Sequence, residues 1–162
     1  MRGYRWLLRD RQSPGLIDAI VRRGTFVSLT LGMDPGDAVR PPQSMAAATM
    51  TAHVSGVLNA YGNLHKSGDN VVIGSDAGIG PWKPHDVSPH GAADPAQLGV
   101  TSLEALISMT SRAARLCRMK GRKGRIARGA DADLLIVDGD VEHDSAAVLD
   151  VQAVFRAGVP VR

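Results

Sequence analysis

The run Val71–Gly74 constrains the fold more than any other part of the chain. Its sequence, VVIG, has no polar side chain, so both faces of a strand formed here would be apolar. Such a strand is typical of a parallel sheet buried between two layers of helices. Asp76 follows almost at once, within the sequence SDAG at 75–78. Because parallel α/β proteins bind ligands at the carboxyl ends of their strands, Asp76 is the first candidate functional residue.

Helices and strands alternate on either side of this run. The spacing of apolar residues, short β-branched runs and the glycines between them define the elements. We predict helices at 15–23 and 44–66, strands at 25–31 and 71–74, and a long loop at 79–100. A further helix begins at Thr101, where Thr101 and Glu104 fit a capping box. Thr110 is placed to cap another helix, which runs to about 118. This order predicts an α/β fold with a parallel sheet and covering helices.

The pattern changes near residue 123. Strands are predicted at 124–126 and 133–138, and a terminal hairpin at 153–161 with its turn at Ala157 and Gly158. We therefore divide the chain into an α/β part at 1–122 and a small all-β part at 123–162. So few strands do not bury a core of their own, and we expect them to pack against another part of the protein.

The sequence has no predicted membrane-spanning helix or signal peptide, and these features bear on where the protein is located. No run of about 18 apolar residues is present, so no membrane-spanning helix is predicted and no membrane partner is expected. The first residues, MRGYRWLLRDRQ, lack the apolar segment of a signal peptide. Cys117 is the single cysteine, which excludes an intramolecular disulfide and agrees with a reducing compartment. We expect a cytoplasmic protein.

The formal net charge is +3, and part of it is local. Residues 112–128 contain eight Lys or Arg residues and no acidic residue. No aromatic side chain is interleaved there for stacking on bases, so a nucleic-acid partner is not expected. We interpret this basic stretch as a solvated face, or as one that packs against an acidic neighbour.

Three polar residues are candidates for chemistry. Asp76 could bind a divalent metal or act as a general base. The alternative is that it starts a turn, which Asp followed by a small residue and Gly commonly does. His85 and His90 lie in the loop after the strand, and imidazole suits both metal binding and proton transfer. Their spacing matches no HxH or HExxH pair, so a solvated or backbone-bonded role is the alternative.

Five segments in this order resemble the C-terminal part of the amidohydrolase superfamily, the metal-dependent hydrolases of the imidazolonepropionase and prolidase kind. The segments are IDAIVRRGTFVSLTL (17–31), NLHKSGDNVVIGSDAGI (63–79), LGVTSLEALISMTSRAARLCRM (98–119), KGRIARGADADLLIVDGD (123–140) and VQAVFRAGVPV (151–161). The resemblance implies that 1–122 hold the last strands and helices of a TIM-like (β/α)8 barrel. It also implies that 123–162 are strands of a small composite β-sandwich.

The resemblance further implies hydrolysis of carbon–nitrogen bonds, in a dipeptide or a non-peptide small molecule, through a metal-activated water. Asp76 matches the family's final-strand aspartate, which binds a divalent metal, zinc in the usual case, and carries a proton from the bound water to the leaving nitrogen. His85 and His90 fall in a loop that contacts substrate in family members.

The sequence departs from the family because it lacks most of the metal ligands and most of the barrel strands. It has no HxH pair, and a catalytic zinc normally needs three protein ligands. A complete barrel needs about 200 residues, more than this chain has. We therefore expect a C-terminal fragment, inactive alone, whose partner is an N-terminal half on a separate chain or a second copy of itself. The alternatives are a non-catalytic remnant or partner-binding module and, less favoured, a basic nucleic-acid binder.

Overall fold

The computed structural model describes residues 15–32, 62–66, 70–79, 83–93 and 99–162. Within the predicted helix at 44–66, residues 62–66 are helical, and 44–61 lie outside the described residues. The predictions for the first fourteen residues, and for parts of the loop at 79–100, also lie outside them.

The first sheet is a parallel pair of short strands. Helix α1 (Leu16–Arg22) precedes strand β1 (Val27–Thr30), which pairs with β2 (Val71–Gly74) in parallel register, with Val27 opposite Val71. The first three residues of β2 are buried, as the apolar sequence on both faces predicts. The core cluster consists of Leu29, Leu64, Val71, Ile73 and Ala105. The predicted parallel pair is therefore confirmed.

The helices after β2 cover this sheet. Helices α3 (Ser102–Met109) and α4 (Ser111–Leu116) form as the two helices predicted to start at Thr101 and Thr110, although the Thr110 side chain makes no cap bond. The capping box forms: the Thr101 hydroxyl accepts a bond from the Glu104 N–H at 3.2 Å, and the Glu104 carboxylate accepts one from the Thr101 N–H at 2.9 Å. This bond pair fixes where α3 begins.

The prediction of an uninterrupted loop at 79–100 is wrong for part of that range. Residues Ser88–Ala93 form a short helix, α2. Its proline, Pro89, lies in the first turn, where a missing N–H costs little. Val87 and Ala92 are buried, so packing against the sheet stabilises a helix that six residues alone would not sustain.

The all-β part contains a three-stranded antiparallel sheet in the order β3 (Leu134–Val137), β4 (Val151–Arg156) and β5 (Val159–Pro160). The predicted hairpin forms, and Ala157 and Gly158 both have positive φ, as a type I′ turn requires. The strand predicted at 124–126 does not form. Gly124 has a φ of +78°, and a Cβ there would lie 2.5 Å from the Thr110 carbonyl oxygen, so the chain turns closely against α4 instead.

The segment between β3 and β4 lies against the helices. It contains a 3-10 helix at Ser145–Leu149. The Ser102 hydroxyl accepts a bond from the Ser145 N–H at 3.1 Å and donates one to the His143 carbonyl at 3.2 Å. None of the helices in the described ranges is long and apolar enough to cross a membrane.

Candidate functional site

Asp76 lies two residues beyond the end of β2, at the carboxyl edge of the parallel sheet. Its backbone is in the left-handed region, with a φ of +55°, which aspartate tolerates better than most residues. The following residues form a turn, and the Asp76 residue is exposed. Asp76 therefore has the turn geometry that the sequence allowed, and it also presents a carboxylate at the edge where ligands of α/β proteins bind.

Lys83 is the buried charged side chain beside this edge, with 7% of its surface exposed. Its ammonium group donates one hydrogen bond to the carbonyl of Thr30 at 2.7 Å and another to the carbonyl of Ser75 at 2.6 Å. Thr30 ends β1 and Ser75 directly follows β2, so a single side chain joins the carboxyl ends of both strands. Burial lowers the pKa of Lys83, and the nearby negative charge of Asp76 opposes that decrease.

The segment between Asp76 and His85 closes on itself. The Gly78 N–H donates to the carbonyl of Lys83 at 2.6 Å. Gly78 also lies directly against the ring of His85, because a Cβ at Gly78 would be 2.9 Å from Cε1 of that imidazole. The exposed imidazole of His85 is thus held against the turn that begins at Asp76.

His90 is placed differently. It lies in α2, half-buried, and its backbone N–H donates to the carbonyl of Val87 at 3.0 Å. Among the described residues, no hydrogen bond or ion pair joins its ring to Asp76 or His85. The structure therefore brings Asp76, Lys83 and His85 to one turn and does not bring His90 into contact with them.

The described residues do not fit a complete metal centre. No group of three or more His, Cys, Asp or Glu side chains among them could hold a metal ion. Asp76 offers one carboxylate, and zinc in a catalytic site normally takes three protein ligands. Any metal centre that uses Asp76 needs ligands from outside the described part of the chain.

Lys83 is the residue of this site to which the sequence analysis assigned no role. The sequence does contain a signal for it, because Lys83 is the single lysine or arginine between Lys66 and Arg112. A cation isolated in a proline-rich segment after a buried strand is a candidate for bonding to the strand's terminal carbonyls. Its burial, however, depends on β1 and β2 being adjacent.

An α/β architecture with an acidic side chain at the carboxyl edge of a parallel sheet defines a class of proteins whose sites lie at strand ends. Within that class, residues 10–162 match the sequence model of the amidohydrolase family. Because this match covers most of the chain, the chain belongs to the amidohydrolase family.

Solved structures agree with this assignment. A prolidase complexed with N-methylphosphonate-L-proline is 28% identical, with a TM-score of 0.61, over 90% of this chain and 37% of its own. An amidohydrolase from Thermotoga maritima MSB8 has the same fold, with a TM-score of 0.66 at 18% identity, over 93% of this chain and 35% of its own.

A putative prolidase from Bifidobacterium longum also shares the fold, with a TM-score of 0.64 at 24% identity, over 70% of this chain and 28% of its own. The chain thus spans between 28% and 37% of the length of these three proteins. A comparison with curated proteins finds no match.

Proposed function

We propose that this chain is the C-terminal portion of a metal-dependent hydrolase that cleaves a carbon–nitrogen bond in a dipeptide or a non-peptide small molecule. The observation that carries the proposal is the position of Asp76 directly beyond β2 in a chain of the amidohydrolase family. The similarity to a prolidase with a bound proline phosphonate supports substrates of this kind.

The role proposed for Asp76 is proton transfer. Its carboxylate accepts a proton from the water whose oxygen attacks the carbonyl carbon of the substrate. It then gives that proton to the nitrogen as the carbon–nitrogen bond breaks, so that a carboxylic acid and an amine leave. Its exposure at a strand end supports this role, because a general base must reach its water directly.

The metal, zinc in the proposal, would take Asp76 as one of several ligands. Further ligands would come from outside the described residues, since these contain no group of three or more His, Cys, Asp or Glu side chains that could hold a metal ion. We also propose that the chain alone is inactive, because its sequence has no HxH pair and is shorter than the about 200 residues that a complete barrel needs.

Lys83 and His85 are proposed to support Asp76 in different ways. Lys83 is a positioning residue, because its two bonds fix the carboxyl ends of β1 and β2 and hence the start of the turn. His85 is a proposed substrate contact, which its place against Gly78 supports. His90 is also proposed as a substrate contact, and the support for this is only its position in the chain after β2.

The proposed whole is a (β/α)8 barrel with a composite β-sandwich. In it, β1 and β2 would be the last barrel strands, and β3 to β5 would belong to the sandwich. An N-terminal half on a separate chain, or a second copy of this chain, would cover the edges of the parallel pair. Among the described residues no third strand pairs with β1 or β2, and unpaired strand edges favour association with further strands, which supports this arrangement.

A non-catalytic, partner-binding module is the second candidate. The observation that favours it is the exposure of apolar side chains on the β3–β5 sheet, including Leu135 and Ile136. Such a module would use the same surfaces for association and would leave Asp76 without a role.

The test is a complementation assay. The 162-residue chain is purified together with the product of an adjacent upstream reading frame that carries an HxH pair, and hydrolysis of a proline dipeptide is measured with added zinc. We expect activity in the mixture and none from either chain alone. In Asp76→Asn, kcat is expected to fall by about 10²–10⁴-fold, the usual contribution of a positioned general base.

Asp138→Asn is the matched control, because Asp138 is an exposed carboxylate in the all-β part and should leave kcat unchanged. Equal kcat in Asp76→Asn and the unaltered mixture would contradict the role of Asp76. Full activity of the 162-residue chain alone would contradict its incompleteness. Absence of such a reading frame would favour the partner-binding module.

A further inference from the structure

A concave site lies at the end of the parallel sheet opposite the edge that carries Asp76. A cavity of about 260 Å³, here called the basic cavity, has five cationic side chains in its lining. These are Arg112, Arg115, Lys120, Lys123 and Arg125. We propose that the basic cavity binds a small phosphate-bearing anion, a function separate from the chemistry proposed at Asp76.

The position of the basic cavity separates it from Asp76. Arg112 donates to the carbonyl of Val71, the first residue of β2, at 3.3 Å. Arg115 donates to the side-chain oxygen of Asn70, the residue before the strand, at 3.0 Å. The length of β2, about 10 Å at 3.3 Å per residue, lies between these contacts and the edge that carries Asp76.

Two of the five cations are held in place before any ligand arrives. Arg112 donates to the hydroxyl of Ser108 at 2.7 Å as well as to Val71. The guanidinium of Arg115 lies over the ring of Phe26, 5.4 Å from its centroid, in a cation–π contact. A guanidinium that is already oriented loses less freedom when it binds an oxyanion, and its fork matches two phosphate oxygens.

The described residues leave positive charge at the basic cavity. Lys123 is paired with the carboxylates of Asp131 and Asp133. Among the described residues, no carboxylate lies within ion-pair distance of Lys120 or Arg125, whose charges therefore remain uncompensated there. An anion bound in the basic cavity can neutralise the charges of Lys120 and Arg125.

The shape of the cavity favours a compact anion over a nucleic acid. Its volume lies just below the range of about 300–1,000 Å³ typical of drug-sized ligands, which suits one or two phosphate groups. None of the described residues that line it is aromatic, and binding of single strands relies on stacking of bases on aromatic rings. The phosphate is either inorganic or part of a phosphomonoester, and titration with each anion distinguishes these sources.

The experiment is isothermal titration calorimetry of the full 162-residue chain with inorganic phosphate, pyrophosphate and glycerol 3-phosphate in turn. We expect one site per chain, and an affinity that falls as ionic strength rises because salt screens the cations. Tighter binding of glycerol 3-phosphate than of inorganic phosphate would identify a phosphomonoester as the ligand, and the reverse would identify the free anion.

Two variants test which residues bind. Lys120→Gln and Arg125→Gln should each weaken binding about tenfold, the loss expected when one charge-assisted bond is removed. Arg128→Gln removes the same charge from an exposed position outside the cavity and should leave the affinity unchanged. Arg125→Lys keeps the charge and should retain most of the binding, which separates loss of charge from misfolding. Asp76→Asn should bind phosphate normally.

Three results would overturn the proposal. The first is no binding of any of the three anions at low ionic strength. The second is an equal loss in Arg128→Gln and Arg125→Gln, which would indicate a diffuse surface effect. The third is binding of duplex DNA that is tighter than phosphate binding and equally sensitive to Lys120→Gln and Arg125→Gln, which would assign the surface to nucleic acid.

Discussion

The two sheets of this protein differ in how completely their apolar side chains are covered. In the parallel pair, Leu29 is 1% exposed and the first three residues of β2 are buried. In the antiparallel β3–β5 sheet, Leu135 is 51% and Ile136 48% exposed. Helices and the Lys83 segment bury β2 and Leu29 in the first sheet, called here the enclosed sheet, although Ser28 and Thr30 of β1 are exposed. The described residues cover the second sheet only in part. The candidate site therefore lies at the end of the enclosed sheet, where buried strands hold Asp76 and Lys83 in fixed positions.

The largest expected difference between the sheets is in the effect of a truncated side chain. Leu29→Ala should lower the free energy of unfolding by about 2–5 kcal/mol, because it leaves a cavity in a buried core. Leu135→Ala, which removes the same atoms from a half-exposed position, should cost about 0.5 kcal/mol or less. Urea unfolding followed by circular dichroism measures both. Equal losses would contradict the difference in packing between the two sheets.

The next largest expected loss of stability is at the carboxyl end of the enclosed sheet, where Lys83 bonds to both strands. Lys83→Met keeps the length of the side chain but removes its two bonds, so the carbonyls of Thr30 and Ser75 lose a buried donor. The expected loss of unfolding free energy is about 2 kcal/mol, since relief of the buried charge offsets part of the cost of the unsatisfied carbonyls.

Lys66→Met is the control for this measurement, because Lys66 is exposed and the same substitution there should have little effect. The Cα and Cβ chemical shifts of Asp76 should also move in Lys83→Met, as the turn loses its support. Unchanged shifts at Asp76 would refute the positioning role of Lys83, whatever the change in stability.

The smallest expected effect on stability is at the capping box at the start of α3. Hydrogen bonds from the Thr101 backbone and side chain hold the pKa of Glu104 below its usual range. A carboxyl whose pKa is lower in the folded state stabilises the fold above its unfolded pKa, and that contribution is lost as the pH falls through the folded pKa. Thr101→Ala should cost about 1 kcal/mol at neutral pH.

The same variant should flatten the decrease of stability on acidification, because one of the bonds that lower the pKa of Glu104 is gone. Thermal unfolding at neutral and at acidic pH measures the difference. A Thr101→Ala chain with the same dependence on pH as the unaltered protein would show that the capping box does not contribute to it.

Local pattern was sufficient to predict some elements and not others. The apolar β2 run, the capping box at Thr101 and the hairpin at Ala157 and Gly158 depend on neighbouring residues, and all three were predictable. Helix α2 was not, because its stability comes from burial of Val87 and Ala92 in the fold. The turn at Gly124 depends equally on an approach to Thr110 that no local pattern indicates.

The candidate site was likewise predictable from the sequence only in part. Asp76 follows a strand that the sequence defines, so its position at the carboxyl edge could be inferred. The two hydrogen bonds of Lys83 could not be inferred, because they join the carbonyls of Thr30 and Ser75, which are 45 positions apart in the chain. A bond between segments so far apart requires knowledge of which strands are neighbours.

Metal analysis tests the central claim most directly, namely that this chain supplies one carboxylate to a centre completed by residues from elsewhere. The account predicts that the purified chain, dialysed against zinc and then against buffer, retains far less than one zinc per chain. It also predicts that the complemented assembly retains stoichiometric zinc and loses it in Asp76→Asn. One zinc per chain in the isolated protein, lost in Asp76→Asn, would contradict the account.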